Sequence, residues 1–350
     1  MRTAVTTAGW SRDLVRAVAC KVPRSLLGRR SVRKADEVGG NDFQSVHDLS
    51  QSSALKKPWI RRKVMRFHPF VLSVGAALLL CSPTPAEAAG TLDKIRASQT
   101  ISLGYREASI PFSYTGQDRQ PWGYSVDLCT RVAAAVVRLL GLDELQLQWV
   151  RVTPETRIAK LKSGEIDLEC GSTTSSLSRM EEVDFSLPIF VDGGSYLSPW
   201  AAGIKNLQDL AGKSIAVAVG TTTEQTLAKA LTEHRVGAEL VKVGDHQQGI
   251  DAMAKGEVDA YASDRSLLIG LALDSGNQDS WSLGQEIFSY EPYALMLRRD
   301  DADFRLVVNR ELARLSRGGE IYAIYDRWFG VLGKPGPALQ SVYFLNGLPE

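Results

Sequence analysis

The sequence predicts an α/β protein built of two similar lobes, and three observations carry that expectation. From Thr91 onward, short β-branched or apolar runs alternate with stretches of helical period. The stretch LKSGEIDLEC at residues 161–170 and the stretch MAKGEVDAYA at residues 253–262 share a helix end, a glycine, an acidic residue and a strand. Each of these strands then runs out into polar residues, SerThrThr in the first copy and SerAsp in the second. Glycine in such a place supplies the left-handed residue that stops a helix. Ligands of open α/β sheets sit beyond the carboxyl ends of strands, so two such edges facing each other make a cleft.

In chain order the expected strands are 100–105, 147–152, 166–169, 214–219, 240–243 and 258–262. The helices between and after them are 125–140, 155–162, 223–233, 247–255, 264–273 and 304–328, the last broken at Gly318 and Gly319. The tail beyond Pro335 reads as an extended strap.

With 350 residues, 44% of them apolar, the chain can hold two domains with real cores. Its 41 basic and 40 acidic residues look balanced but are unevenly placed. Residues 1–64 carry about 14 Lys/Arg against 5 Asp/Glu, whereas from Ala89 onward there are about 26 against 34. The acidic remainder excludes nucleic-acid and anionic-membrane binding, which rely on clustered basic charge, so any arginine cluster serves a small site.

At Met65 a short basic stretch runs into the apolar segment 70–81 and then SPTPAEAAG, the pattern of a secretory signal over 65–88. Its apolar core is about a dozen residues long, against roughly 20 for a membrane span. Ala86 and Ala88 fit cleavage before Ala89, whereas lipid attachment at Cys81 is opposed by the bulky Leu80 before it. Export machinery reads a signal at the N-terminus, so translation is expected to start at Met65. The rival is a translated, disordered basic extension over 1–64, and N-terminal sequencing of the precursor decides between them.

Four places are rich in groups suited to a zwitterion. In GYREASIPFSY, Arg106 follows a strand directly, with Phe112 and Tyr114 behind it. In TPETRIAKLKSG, Arg157 stands on the first turns of a helix, and in CGSTTSSLSRM, Ser172 and Thr174 precede Arg179. The fourth is spread over GTTTE at 220–224, DHQ at 245–247 and SDR at 263–265. Each has a plainer alternative: Arg157 as a solvated helix charge, Arg106 in an inter-lobe ion pair, His246 and Asp264 as helix caps, the run 172–176 as a capping turn.

The exported part, from TLDKI at residue 91 to the RWF near residue 329, resembles the family 3 periplasmic amino-acid-binding proteins and, among them, the glutamate/aspartate-binding subgroup. GYREASIPFSY, DLECGSTTSSLSR and the GTTTE turn carry the resemblance together. It implies a two-lobed type II periplasmic-binding-protein fold, each lobe a mixed sheet flanked by helices. It implies a monomer without cofactor that hands its ligand to the membrane subunits of an ABC importer. By position it implies that Arg179 pairs with the ligand α-carboxylate, helped by hydroxyl or backbone donors of Ser172, Thr174 and Thr222, and that Asp264 accepts from the α-ammonium. Arg106, Arg157 and His246 occupy the positions that hold the side-chain carboxylate. Pro154 stands where the subgroup has a Ser contact, which leaves the glutamate-to-aspartate ratio open.

Lobe one is then expected over 90–197 and 292–333, lobe two over 198–291, and a tail over 334–350. The crossings near VDGGSYLSPW and FSYEPYALML form the hinge, with Gly193 and Gly194 easing rotation. Cys129 and Cys170 are the only cysteines left after cleavage and enter an oxidising compartment, as a disulfide or as two buried thiols. No metal-ligand spacing is present. Two other classes remain on the page. A dehydratase of prephenate-like acids on the same fold would need a general acid such as Glu224 or Glu291, and a sensor domain would need a downstream signalling segment.

Overall fold

The computed structural model describes residues 90–350 apart from Asn277. The leading segment 1–64 and the expected signal 65–88 lie outside the described residues. Helix α1 (Thr91–Ser98), absent from the sequence reading, leads into β1 (Thr100–Tyr105), whose four inner residues are all buried because both faces of its sheet are covered. A small antiparallel ribbon follows, made of β2 (Ala108–Ser109), β3 (Ser113–Thr115) and β4 (Pro121–Trp122). Helix α2 (Tyr124–Leu140) buries Leu128, Val132 and Val136 at helical spacing and stops at Gly141 in the left-handed conformation. Then come β5 (Gln146–Arg151), α3 (Arg157–Lys162), β6 (Leu168–Glu169), the single turn α4 (Leu177–Met180) and the long β7 (Val183–Asp192).

The second lobe runs through β8 (Gly194–Pro199), β9 (Ser214–Ala218), α5 (Thr222–Glu233), β10 (Glu239–Val243), α6 (His246–Ala254), β11 (Ala260–Asp264), α7 (Arg265–Asp274) and β12 (Trp281–Leu283). The chain returns through β13 (Glu291–Arg298) and finishes with α8 (Ala302–Arg317), α9 (Glu320–Phe329) and α10 (Pro337–Leu345). The first sheet has the order β5-β1-β6-β13-β7 and the second β10-β9-β11-β8-β12. In each, three parallel strands are extended by two antiparallel ones. The two copies of the repeated sequence supply β6 and β11, the third strand of each sheet, so the repeat is one of architecture as well as of letters.

The first lobe is held by an aromatic knot in which Phe112 meets Phe190 and Tyr293 edge-on, with ring centres 4.8 and 5.0 Å apart. The second lobe has a core on each face of its sheet. Ile215, Ala260 and Ala262 point to one side and Ala216 and Tyr261 to the other, the two-residue alternation of a strand buried twice.

Three expectations need correction. Residues 194–197 belong with the second sheet as the start of β8, so the first crossing lies at Gly193. Gly193 and Gly194 are there because the crossings run side by side. A Cβ on Gly193 would come within 2.3 Å of Ile287, and one on Gly194 within 2.6 Å of Phe288. The tail is no extended strap. Helix α10 buries Leu339 and Tyr343, and the Tyr343 hydroxyl lies 3.0 Å from that of Tyr124 inside lobe one.

Candidate functional site

The sheets turn their polar strand ends toward each other, and side chains from both meet there. Arg106 follows β1, with its backbone N–H held by the Ser113 hydroxyl at 2.9 Å. Arg157 opens α3, and at 2% exposure it is no solvated helix charge. Its Nη1 donates to Thr173 Oγ1 at 2.7 Å, and that hydroxyl donates onward to Glu169 Oε2 at 2.7 Å. Arg179 is held by two carbonyls from opposite lobes, Thr174 O at 2.8 Å and Gly220 O at 3.0 Å.

Desolvation dominates the electrostatics. Burial, reinforced by the neighbouring Arg157, pushes Arg106 down to about 10 and Arg179 to about 9. Arg157 is lowered as well, again by burial, with Glu169 partly compensating. Arg106 and Arg157 thus lie fully buried and Arg179 partly so, with Arg157 repelling both of the others. Such an arrangement is costly until an anion neutralises it. Arg157 Nε and Ser172 Oγ are buried without a hydrogen-bond partner among the described residues.

From the other lobe, His246 is the first residue of α6 and is 3% exposed. It does not cap that helix, since the Asp245 side chain accepts from Gln248 N instead. Its Nδ1 shares a 2.5 Å hydrogen bond with the Tyr261 hydroxyl, and burial, with Arg106 and then Arg157, holds the ring well below the usual histidine value. It is therefore a neutral group at the arginine end, and with Asp245 it lines a crevice shared with Arg106. Asp264 occupies the N-cap position of α7 without capping through its side chain. Its carboxylate accepts from Thr223 Oγ1 at 2.8 Å and, across the cleft, from the Tyr293 hydroxyl. Of the hydroxyl run, Ser176 does cap α4.

Of the eight sequence-predicted residues, Arg157, Arg179, Thr174, Thr222 and Asp264 make contacts that cross between the lobes, Arg106 and His246 line one crevice, and Ser172 follows β6 with its hydroxyl buried, while two hydroxyls are used differently than expected. Thr174 and Thr222, from opposite lobes, each place Oγ1 2.6 Å from Glu291 Oε2, and a carboxylate can only accept. Glu169, Thr173, Thr223, Glu291 and Tyr293 complete the site. Sequence reasoning named Glu291 only as a general acid for the dehydratase alternative and singled out none of the other four, the available signal being acids sitting inside apolar strands. Neither acid considered for dehydratase chemistry is free for it. Glu224 takes Gly220 N–H and Lys242, and Glu291 is ringed by hydroxyls. Cys129 and Cys170 form a disulfide, with Cα atoms 6.1 Å apart, beneath the strand end that carries Ser172. Among the described residues no group of His, Cys, Asp and Glu could hold a metal ion, and no helix is long and apolar enough to cross a membrane.

A family model described as bacterial extracellular solute-binding proteins, family 3, matches residues 101–331. The chain belongs to that family. This solute-binding protein is 40% identical over 268 residues to the L-glutamate/L-aspartate-binding protein of Pseudomonas aeruginosa, covering 76% of this chain and 89% of that one. It is 34% identical to the glutamate/aspartate import solute-binding protein of Salmonella typhimurium, over 74% of this chain and 86% of that protein. Among solved structures it is similar to an ABC transporter/periplasmic binding protein from Brucella ovis with glutathione bound. That similarity has a TM-score of 0.62 and 27% identity, covering 73% of this chain and 79% of the other. An ancestral arginine-binding protein bound to arginine matches with a TM-score of 0.59 and 26% identity, over 66% of this chain and 99% of that one.

Proposed function

We propose that this solute-binding protein captures an acidic amino acid, glutamate or aspartate, outside the cytoplasmic membrane and delivers it to the membrane subunits of an ABC importer. The observation that carries the proposal is the set of three arginines, Arg106 and Arg157 buried and Arg179 partly so, with Arg157 repelling the other two and the carboxyl groups of Asp264 and Glu291 in the same cleft. Arg106 and Arg157, with neutral His246, take the side-chain carboxylate. Arg179 takes the α-carboxylate together with N–H groups of the first turn of α5, which have no intrahelical partner. Asp264 takes the α-ammonium. Charge-assisted hydrogen bonds at about 1.5–3 kcal/mol each outweigh ordering and closure costs enough for micromolar capture, near −8 kcal/mol.

Glutamine offers a neutral amide where the guanidinium groups need an anion. An uncompensated buried charge costs about 3–5 kcal/mol, so glutamine binds far more weakly than glutamate. Calorimetry tests the site directly: Arg106→Ala and Arg179→Ala each abolish detectable glutamate binding. Near-normal affinity in both variants overturns the proposal. Export through the signal over 65–88 and action as a monomer belong to the same proposal, read out by the N-terminus of the secreted protein and by its mass in solution.

A further inference from the structure

The cleft has two chemically opposite ends. At one, Arg106 and Arg157 cluster with His246. At the other, Glu291 lies close enough to Asp264 to disfavour the charge on Asp264, and the hydroxyls of Thr174, Thr222, Thr223 and Tyr293 surround the two carboxyl groups. Glu291 is 1% exposed and sits where the chain recrosses between lobes, paired in register with Asp192. Its Oε1 accepts from Ser289 Oγ at 2.5 Å, and that oxygen in turn accepts from Gly194 N–H at 3.0 Å. Its Oε2 accepts from Thr174 of lobe one and Thr222 of lobe two, whose hydroxyl oxygens are 3.2 Å apart.

A hydroxyl has one proton and two lone pairs. Once its proton is committed to a buried carboxylate, it can offer only acceptors to anything else. The Thr174 and Thr222 hydroxyls therefore repel a ligand carboxylate and attract N–H groups. We propose that Glu291 is a positioning residue for amino-group recognition: by taking both threonine protons it turns the two hydroxyls into acceptors for an α-ammonium, beside Asp264. The ligand's carboxylates are then left to the arginines and backbone N–H groups. This rests on the acidic amino-acid reading above and adds to it what rejects a dicarboxylic acid that has no amino group.

The test compares glutamate with glutarate, which keeps both carboxylates and lacks only the ammonium, in calorimetric titrations of the full exported protein. The wild type binds glutamate at least about 100-fold tighter than glutarate, the loss of two or more charge-assisted contacts. Glu291→Met, close in size but without an acceptor, cuts that ratio about tenfold or more by weakening glutamate while leaving glutarate unchanged or tighter. Glu291→Gln keeps an oxygen for the threonine protons and restores most of the ratio. Should Glu291→Met fail to fold, the double variant Thr174→Val, Thr222→Val carries the same test and loses the ratio in the same way. Equal weakening of both ligands by Met, a Gln variant no better than Met, or an unchanged ratio in the double valine variant overturns the inference. A wild type that binds no glutamate overturns instead the function on which it rests.

Discussion

Burial, then Glu291 and Asp192, push the Asp264 carboxyl from its ordinary 3.8 up to about 8. A carboxyl raised on folding binds more protons in the folded state. Its contribution to stability is fully present below the unfolded value and is lost as pH rises through 8. Asp192, raised to about 6, acts the same way at lower pH, while His246, held low, destabilises the fold only as pH falls through the ordinary histidine range. Between pH 6.5 and 8, Asp264 is therefore the group that matters. An α-ammonium needs it ionised, so capture expels its proton. Glutamate affinity is expected to tighten across that window, by up to about tenfold per pH unit, while the ligand-free protein melts at progressively lower temperature. Titrations in buffers of different ionisation enthalpy count the released proton. A flat affinity with no proton release would falsify this account. The arginines were legible from sequence because a guanidinium after a strand end has few uses in an acidic protein. Their supporting carboxylates were not, since Thr174 meets Glu291 and Thr223 meets Asp264 only after chain segments 117 and 41 residues apart are brought together.

At the scale of elements, helices bounded by glycines were the most readable. The pair Gly318 and Gly319 separates α8 from α9 as expected, and Gly141 ends α2. The strands β7, β8, β12 and β13 and the small ribbon β2, β3 and β4 were missed. The inner positions of β8 and β13 are buried almost throughout, so no polar alternation marks them, and β2, β3, β4 and β12 are only two or three residues long. The α10 helix was missed, the tail beyond Pro335 reading as an extended strap, although Pro337 at the first position of the helix favours its start. One cross-link joins two of these elements to function. The Cys129–Cys170 disulfide ties α2 to the end of β6, and Ser125 Oγ donates to Gly171 O at 2.7 Å just beyond it. The bridge closes a separation of 41 residues, for which loop entropy alone gives about 4 kcal/mol. Replacing both cysteines by alanine is expected to cost about 2–4 kcal/mol in urea unfolding. The hydroxyl run that follows should lose part of its preorganisation, so glutamate dissociates faster. A double variant as stable as the parent would show that lobe one does not depend on the staple.

For the two lobes together, the contacts across the cleft decide how tightly they close. Gly220 is central to them. Its carbonyl receives Arg179 from the opposite lobe, its φ is +75°, and a Cβ there would stand 3.0 Å from Pro154 O and 3.1 Å from Glu155 Cα. Pro154, the departure noted in the sequence, thus forms part of the wall against which the second lobe comes to rest. Gly220→Ala carries two separable penalties. The left-handed backbone costs about 1–2 kcal/mol wherever the loop keeps its shape, with or without ligand, and lowers the melting temperature of the free protein. The steric contact with Pro154 and Glu155 exists only while the lobes are together, so it weakens capture without burdening the separated state. Backbone atoms on the far side cannot swing away as a side-chain tip would. Glutamate affinity is therefore expected to fall about 10–100-fold, mainly through faster release. X-ray scattering at saturating glutamate should show a smaller contraction than in the wild type. If Gly220→Ala binds glutamate within twofold of the wild type and contracts as fully, the lobes do not meet at this glycine when ligand is held, and the closed arrangement of Arg179, Thr174 and Thr222 would have to be replaced by a wider one.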